Sequence, residues 1–162
     1  MDAGSTTEQL GSKNLHKNKV HGVLAHSYIL YFILFLFGIL LDFIFPLKIF
    51  TNYIISVIGF VFLIFGTFLI VWAQKSSHHL KKENISKETF YQGPYRYTRS
   101  PTHLGLLLLT IGFGVMANTL FIIISSIVSF IVTKFIFIKA QEKILAEKYG
   151  TPYLEYKESV KF

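Results

Sequence analysis

The sequence predicts an all-α, polytopic membrane protein with about four transmembrane helices. Hydrophobic residues make up 52% of the 162 residues and charged residues only 15%, whereas soluble domains carry about 25% charged residues. The apolar residues are concentrated in long runs rich in Phe, Ile and Leu, and several runs approach the roughly 20 residues that a helix needs to cross a bilayer. The chain contains no cysteine, which excludes disulfides, thiolate nucleophiles and cysteine-based zinc sites.

The first predicted transmembrane helix follows a polar segment. Residues 1–26 contain glycines, serines, threonines and lysines, and we expect them to form a flexible N-terminal tail. Residues 27–45 form the first apolar run, with Asp42 and Pro46 at its far end. Because no small-residue cleavage site closes this run, it indicates a retained helix rather than a signal peptide.

The second predicted helix, residues 53–73, is long enough to cross the hydrocarbon core. Gly59 and Gly66 are seven residues apart and therefore lie on nearly the same face of this helix. Small residues on one face predict the close approach of another helix.

A polar and basic segment, residues 74–100, precedes the last two apolar runs, 104–116 and 119–138. Only Ala117 and Asn118 separate these runs, so they predict a tight helical hairpin. The first of them is short for a membrane span, although Pro101 suits an earlier start. A short amphipathic helix is expected after the hairpin, ended by a glycine and a proline, with a polar tail behind it.

The distribution of positive charge predicts the orientation. With four spans, the N-terminal tail, the 74–100 segment and the C-terminus share one side, and they carry all of the 16 Lys and Arg residues except Lys48 and Lys134. The positive-inside rule then places both termini and the 74–100 segment in the cytoplasm. The net charge of +7 indicates attraction to anionic lipid. No Arg-rich helix or aromatic platform suggests nucleic acid, so the expected partner is membrane lipid.

Turn residues, aromatic rings and fixed positive charge occur together in residues 93–105, which we call the motif loop. Arg96 and Arg99 can bind a carboxylate with paired hydrogen bonds. Ser100 and Pro101 suit a helix start whose free amides favour an anion, and aromatic rings can lie against a cationic ligand. This combination fits a zwitterionic or sulfonium cofactor. Alternatively, the arginines anchor lipid phosphate and the tyrosines form an interfacial belt.

Two motifs carry a resemblance to a known superfamily. The motif loop reads Gly-Pro-Tyr-Arg-Tyr-x-Arg-x-Pro-x-x-x-Gly, and the segment from Gln141-Glu142 to Tyr153-Leu154-Glu155-Tyr156 follows after a hairpin of matching length. Together they resemble the isoprenylcysteine carboxyl methyltransferase and phospholipid methyltransferase superfamily over residues 60–160. The resemblance implies a membrane methyltransferase-like domain, residues 27–162, that uses S-adenosyl-L-methionine. It also implies a lipophilic or prenylated acceptor that carries a carboxylate or an amine.

The resemblance further implies which residues form the site. The expected cofactor-binding residues are Tyr97, Arg99, Ser100, Pro101, His103, Gly105, Gln141 and Glu142, and the expected catalytic residues are Arg99, Glu142 and His103. Glu142 would bind the amino or ribose groups of the cofactor or pair with an arginine. His103 or Glu142 would serve as the base for an amine acceptor.

The sequence departs from the superfamily pattern at three positions of this site. Ser100, His103 and Gln141 stand where the pattern commonly has His, Tyr and Glu. A membrane reductase of related architecture and a non-catalytic relative are therefore the alternative interpretations. No metal is expected, because the histidines have no compact ligand spacing. Lys134 lies in the last apolar run, where it either extends to the interface or faces the cofactor pocket.

Overall fold

A computed structural model describes the backbone of residues 3–77 and 87–160, and the side chains of 22–77, 88 and 90–160. The described residues contain helices and no strands, as the sequence predicts. The helices are α1 (Ala3–Ile44), α2 (Ile54–Ser77), α3 (Lys87–Phe90), a 3-10 helical turn (Gly93–Arg96), α4 (Pro101–Met116), α5 (Leu120–Val132), a π-helical turn (Thr133–Ile138), α6 (Lys139–Tyr149) and α7 (Thr151–Ser159).

Three of the described helical segments are long and apolar enough to cross a membrane. They are Gly22–Ile44, Ile54–Ser77 and Leu120–Tyr149. The third predicted span, α4, begins at Pro101 as expected but has only 16 residues, which corresponds to about 24 Å of helix against a hydrocarbon core of about 30 Å. The described part of the chain therefore contains three full-length candidate spans and one shorter apolar helix.

The outer surface of the first two spans is apolar. Exposed side chains on α1 and α2 include Phe32, Phe37, Phe43, Phe60, Phe65 and Phe68. Soluble monomers rarely expose apolar patches of this extent. This surface therefore fits contact with lipid tails.

The first helix is longer than the sequence predicts. It begins at Ala3, whereas residues 1–26 were expected to be a flexible tail; residues 1 and 2 lie outside the described part. No proline interrupts the chain before Pro46, so the helical hydrogen bonds can continue back from the apolar run.

Glycines bring α2 and α4 into backbone contact, which confirms the predicted role of Gly59 and Gly66. A Cβ atom added at Gly66 would lie 2.7 Å from the carbonyl oxygen of Gly105, and one added at Gly59 would lie 2.7 Å from that of Gly112. No side chain fits between the helices at these points. The contact fixes the first turn of α4, and with it the end of the motif loop, against α2.

Small residues also join α1 to α5. A Cβ atom at Gly38 would lie 2.6 Å from the hydroxyl oxygen of Ser125. Ser125, Ser126 and Ser129 are buried, and their hydroxyls donate to carbonyl oxygens of the preceding turn at 2.7–2.9 Å. These polar groups are therefore satisfied inside their own helix, and α5 can pack closely on α1.

Asn118 connects two loops at the end of the helix bundle opposite the motif loop. It lies in the predicted hairpin between α4 and α5 and has a φ of 56°, a conformation that asparagine tolerates. Its Oδ1 accepts hydrogen bonds from the amides of Ile49 and Phe50 at 3.0 and 2.9 Å, and its Nδ2 donates to the Phe50 carbonyl at 2.7 Å. One side chain therefore joins the α1–α2 loop to the hairpin.

The C-terminal segment corrects the prediction of a polar tail. Residues 151–159 form α7, in which Tyr153 and Tyr156 are buried. Their rings pack against Phe90, with centroid distances of 5.5 and 5.4 Å. The Tyr156 hydroxyl also donates to the Tyr95 carbonyl at 2.7 Å. This aromatic cluster attaches α7 to α3 and to the start of the motif loop.

Candidate active site

The motif loop is held against the end of α2 by its first two residues. Gly93 has a φ of +59°, and a Cβ atom there would collide with the Ser76 side chain. Pro94 follows in the first turn of the 3-10 helix and is buried. A side chain at position 93 would be both strained and obstructed. The loop is thereby directed toward the start of α4.

Ser100 and Pro101 begin α4 as the sequence suggests, although one detail differs. Ser100 occupies the residue before the first turn, and Pro101 is the first helical residue. The Ser100 side chain makes no capping hydrogen bond within the described residues, since its φ of −132° and ψ of 57° are outside the extended region that an N-cap usually adopts. Ser100 is one of the residues that line a pocket.

A three-membered ion-pair network joins the motif loop to the C-terminal helices. Arg99 Nη1 lies 2.8 Å from Glu142 Oε1, and Lys157 Nζ lies 2.9 Å from Glu142 Oε2. The side chains of Arg99 and Glu142 are 20% and 12% exposed, whereas that of Lys157 is 41% exposed. This confirms one of the two roles expected for Glu142, that of pairing with an arginine of the motif loop.

The pocket beside this network has a volume of about 390 Å³, within the usual range for small-molecule sites. Its polar lining residues come from the motif loop, the π-helical turn and α6, and its apolar lining residues from α4, α5 and the end of the π-helical turn. The lining residues are Tyr97, Thr98, Arg99, Ser100, Leu104, Phe130, Lys134, Ile138 and Glu142. A pocket lined by both charged and apolar residues suits a ligand with both kinds of surface.

Half of the predicted cofactor-binding residues line this pocket: Tyr97, Arg99, Ser100 and Glu142. The structure does not bring Pro101, His103, Gly105 or Gln141 to the pocket wall. Pro101 is buried at the helix start, and Gly105 faces Gly66 and Ile70 of α2. Gly105 therefore contacts a helix rather than the pocket.

His103 points away from the pocket toward α1. It is 2% exposed, and its Nε2 lies 3.1 Å from the Ser27 hydroxyl oxygen. That hydroxyl donates to the Leu24 carbonyl at 2.7 Å, which leaves its oxygen to accept a hydrogen bond from the imidazole. The predicted catalytic histidine therefore has a polar partner in the helix interface.

The structure adds residues that the motifs do not indicate. Phe130 and Ile138 are apolar lining residues, and their helical runs also fit lipid contact, so nothing in the sequence distinguishes them. Leu104 also lines the pocket, and it lies inside the motif loop at a position for which the pattern specifies no residue. Lys157 follows the second motif by one position, where no pattern marks it. Lys134, for which the sequence leaves two positions open, lines the pocket and is also exposed.

A π-helical turn carries two of the lining residues. Thr133–Ile138 has π geometry between α5 and α6, and this turn includes Lys134 and Ile138. Such turns are rare and frequently occur at functional sites. The local widening coincides with the pocket wall, which supports assigning a ligand to it.

The phenols behind the ion-pair network remain neutral at physiological pH. Burial raises the pKa of Tyr156, and burial followed by the negative charge of Glu142 raises the pKa of Tyr153. Burial likewise raises the pKa of Tyr95. These groups therefore contribute packing and hydrogen-bond donors rather than charge.

The fold and the pocket define a helical membrane protein with a charged cavity at one end of its bundle. The chain matches the model of the phospholipid methyltransferase family over residues 27–152, which is more than half of its length, so it belongs to that family. This confirms the resemblance and places the protein among membrane methyltransferases. The match includes every pocket-lining residue, while Lys157 lies beyond it. No curated protein and no solved structure matches the chain.

Proposed function

We propose that the protein transfers a methyl group from S-adenosyl-L-methionine to an amine-bearing phospholipid at the cytoplasmic membrane face. The observation that carries this proposal is the Arg99–Glu142 pair on a pocket that is also lined by apolar residues of α4 and α5. The family favours the phospholipid among the acceptors considered. The basic charge of the motif loop supports the cytoplasmic side.

The lining residues fit the proposed cofactor. Arg99 can bind its carboxylate bidentately, and the ring of Tyr97 can lie against its sulfonium charge. The Ser100 hydroxyl and Thr98 add hydrogen-bonding groups, while Leu104 and Phe130 exclude water from the reacting centre. The chemistry supplied by bound S-adenosyl-L-methionine is a methyl group already activated on sulfur.

The protein must orient the acceptor and remove one proton from its amine. Holding both reactants in line lowers the entropic part of the barrier. Of the two residues that the sequence suggests as bases, Glu142 lines the pocket and His103 does not, so we assign proton acceptance to a carboxylate oxygen of Glu142. Before that step Glu142 also holds Arg99 in place.

Calorimetric titration with S-adenosylhomocysteine in detergent tests the cofactor assignment. We expect saturable binding by the unmodified protein and binding at least about tenfold weaker in Arg99→Ala, because a charge-assisted hydrogen bond contributes about 1.5–3 kcal/mol. Arg96→Ala is the matched control, since Arg96 lies on the same loop, is exposed and does not line the pocket. Absence of binding at millimolar ligand would refute the proposal, and binding of NADPH instead would favour the reductase.

A further inference from the structure

Lys134 is a cation within a membrane-spanning segment. It belongs to the π-helical turn inside Leu120–Tyr149, which is long and apolar enough to span a membrane. Ionisable residues in such segments are costly to insert and usually functional. The proposed methyl transfer assigns no role to this residue, although its side chain lines the pocket.

The neighbours of Lys134 place it between the pocket and the lipid-facing surface. Ile131 and Phe135 are 48% and 59% exposed, and Ile138, about one turn further on, lines the pocket. Lys134 is itself exposed as well as pocket-lining. The lysine therefore lies at the rim where the pocket meets a surface suited to acyl chains.

The charges around the pocket favour an anion at this rim. Among the described residues that line the pocket, Arg99 carries a positive charge and Glu142 a negative one. Lys134 adds a further positive charge to the same pocket, at its membrane side. Attraction between opposite charges is stronger in an apolar environment than in water, so an anionic group entering from the lipid would be held here.

We propose that Lys134 is a specificity-determining residue that binds the phosphate of the phospholipid acceptor. Its compact ammonium group is a suitable phosphate ligand. The acyl chains would then lie along the surface of Ile131 and Phe135, and the head group would extend into the pocket toward Glu142. This inference rests on the proposed function for the identity of the acceptor, but the phosphate contact can be measured without cofactor.

The test compares two lysines on the same helix in maltoside micelles, a detergent without phosphate. Dioctanoyl phosphatidylethanolamine is titrated into the unmodified protein, Lys134→Gln, Lys134→Arg and Lys139→Gln, with binding followed by calorimetry. Lys139 is the matched control, because it is exposed, does not line the pocket and lies over the Phe135 ring at 5.4 Å. We expect binding to weaken about tenfold or more in Lys134→Gln, to be largely restored in Lys134→Arg, and to change less than about twofold in Lys139→Gln.

Further ligands separate the competing explanations. Dioctanoylglycerol, which lacks phosphate, should bind equally to the unmodified protein and Lys134→Gln, and inorganic phosphate should bind far more weakly than the phospholipid. Equal losses in Lys134→Gln and Lys139→Gln would show a general surface attraction and overturn the proposal. Loss of S-adenosylhomocysteine binding in Lys134→Gln, with phospholipid binding intact, would also overturn it and assign the lysine to the cofactor carboxylate. If the unmodified protein binds phospholipid through Lys134 but not S-adenosylhomocysteine, the methyl transfer fails and the phosphate site stands.

Discussion

Gly66→Ala adds one methyl group at a point where α2 and α4 are in backbone contact. The new Cβ atom would lie 2.7 Å from both the Gly105 carbonyl oxygen and the Leu109 amide nitrogen, about 0.7 Å less than the 3.4 Å at which ordinary contacts begin. Because both obstructing atoms belong to the backbone, a rotamer change cannot relieve the collision. The helices must separate, and overpacking of this kind costs about 1–3 kcal/mol.

Gly22→Ala is the matched control for this substitution. Gly22 is also inside a helix, α1, but a Cβ atom there would meet nothing within 4 Å. Both substitutions gain the same helix propensity, about 0.5–1 kcal/mol, so the difference between them isolates the contact. Thermal unfolding followed by circular dichroism in detergent should give a lower midpoint for Gly66→Ala, by roughly 2–12 °C. Equal midpoints for the two variants would refute the tight contact between α2 and α4.

Three further predictions concern the loops and the C-terminal helix. Asn118→Ala removes three hydrogen bonds and should lower the free energy of unfolding by about 2–4 kcal/mol. Denaturant unfolding measures this change, and a decrease below roughly 0.5 kcal/mol, which is typical of surface substitutions, would contradict the structure. Burial raises the pKa of Tyr153 and Tyr156 above the unfolded value of about 10, so their stabilisation is complete below pH 10 and is lost as the pH rises through the folded pKa values. Unfolding midpoints measured from pH 8 to 11 should fall less steeply in Tyr156→Phe than in the unmodified protein, and identical slopes would disprove this. Because the chain has no cysteine, single substitutions test topology directly: an impermeant maleimide applied to intact cells should label Tyr53→Cys and not Gln92→Cys, and the reverse result would invert the proposed orientation.

The helical architecture follows from local patterns, which is why much of it could be predicted. Apolar runs determine where the spans lie, and the seven-residue spacing of Gly59 and Gly66 indicates a helix contact without revealing its partner. The partners are Gly105 and Gly112 of α4. From the sequence alone, a glycine near a helix start, such as Gly105, fits the close approach of a ligand equally well. Only the three-dimensional arrangement distinguishes these possibilities.

The motifs predicted part of the candidate site correctly, but they do not show which of their side chains point into the pocket. Successive residues of a helix are rotated by about 100°, so His103 faces Ser27 while its neighbour Leu104 faces the pocket. The motif contains both residues but does not encode this difference. The packing of α7 was missed because Tyr153 and Tyr156, three residues apart in a polar segment, need Phe90 from a distant part of the chain to form a core.

The two ion pairs of Glu142 have a consequence for ligand exchange. A carboxylate that is 12% exposed and has one cationic partner would be left uncompensated whenever a ligand drew that partner away, which is costly in a low-dielectric site. Glu142 has a second partner, Lys157, on a different helix. If an incoming carboxylate takes Arg99, Lys157 still neutralises Glu142. A ligand carboxylate can thus bind Arg99 and dissociate again while Glu142 keeps a cationic partner throughout.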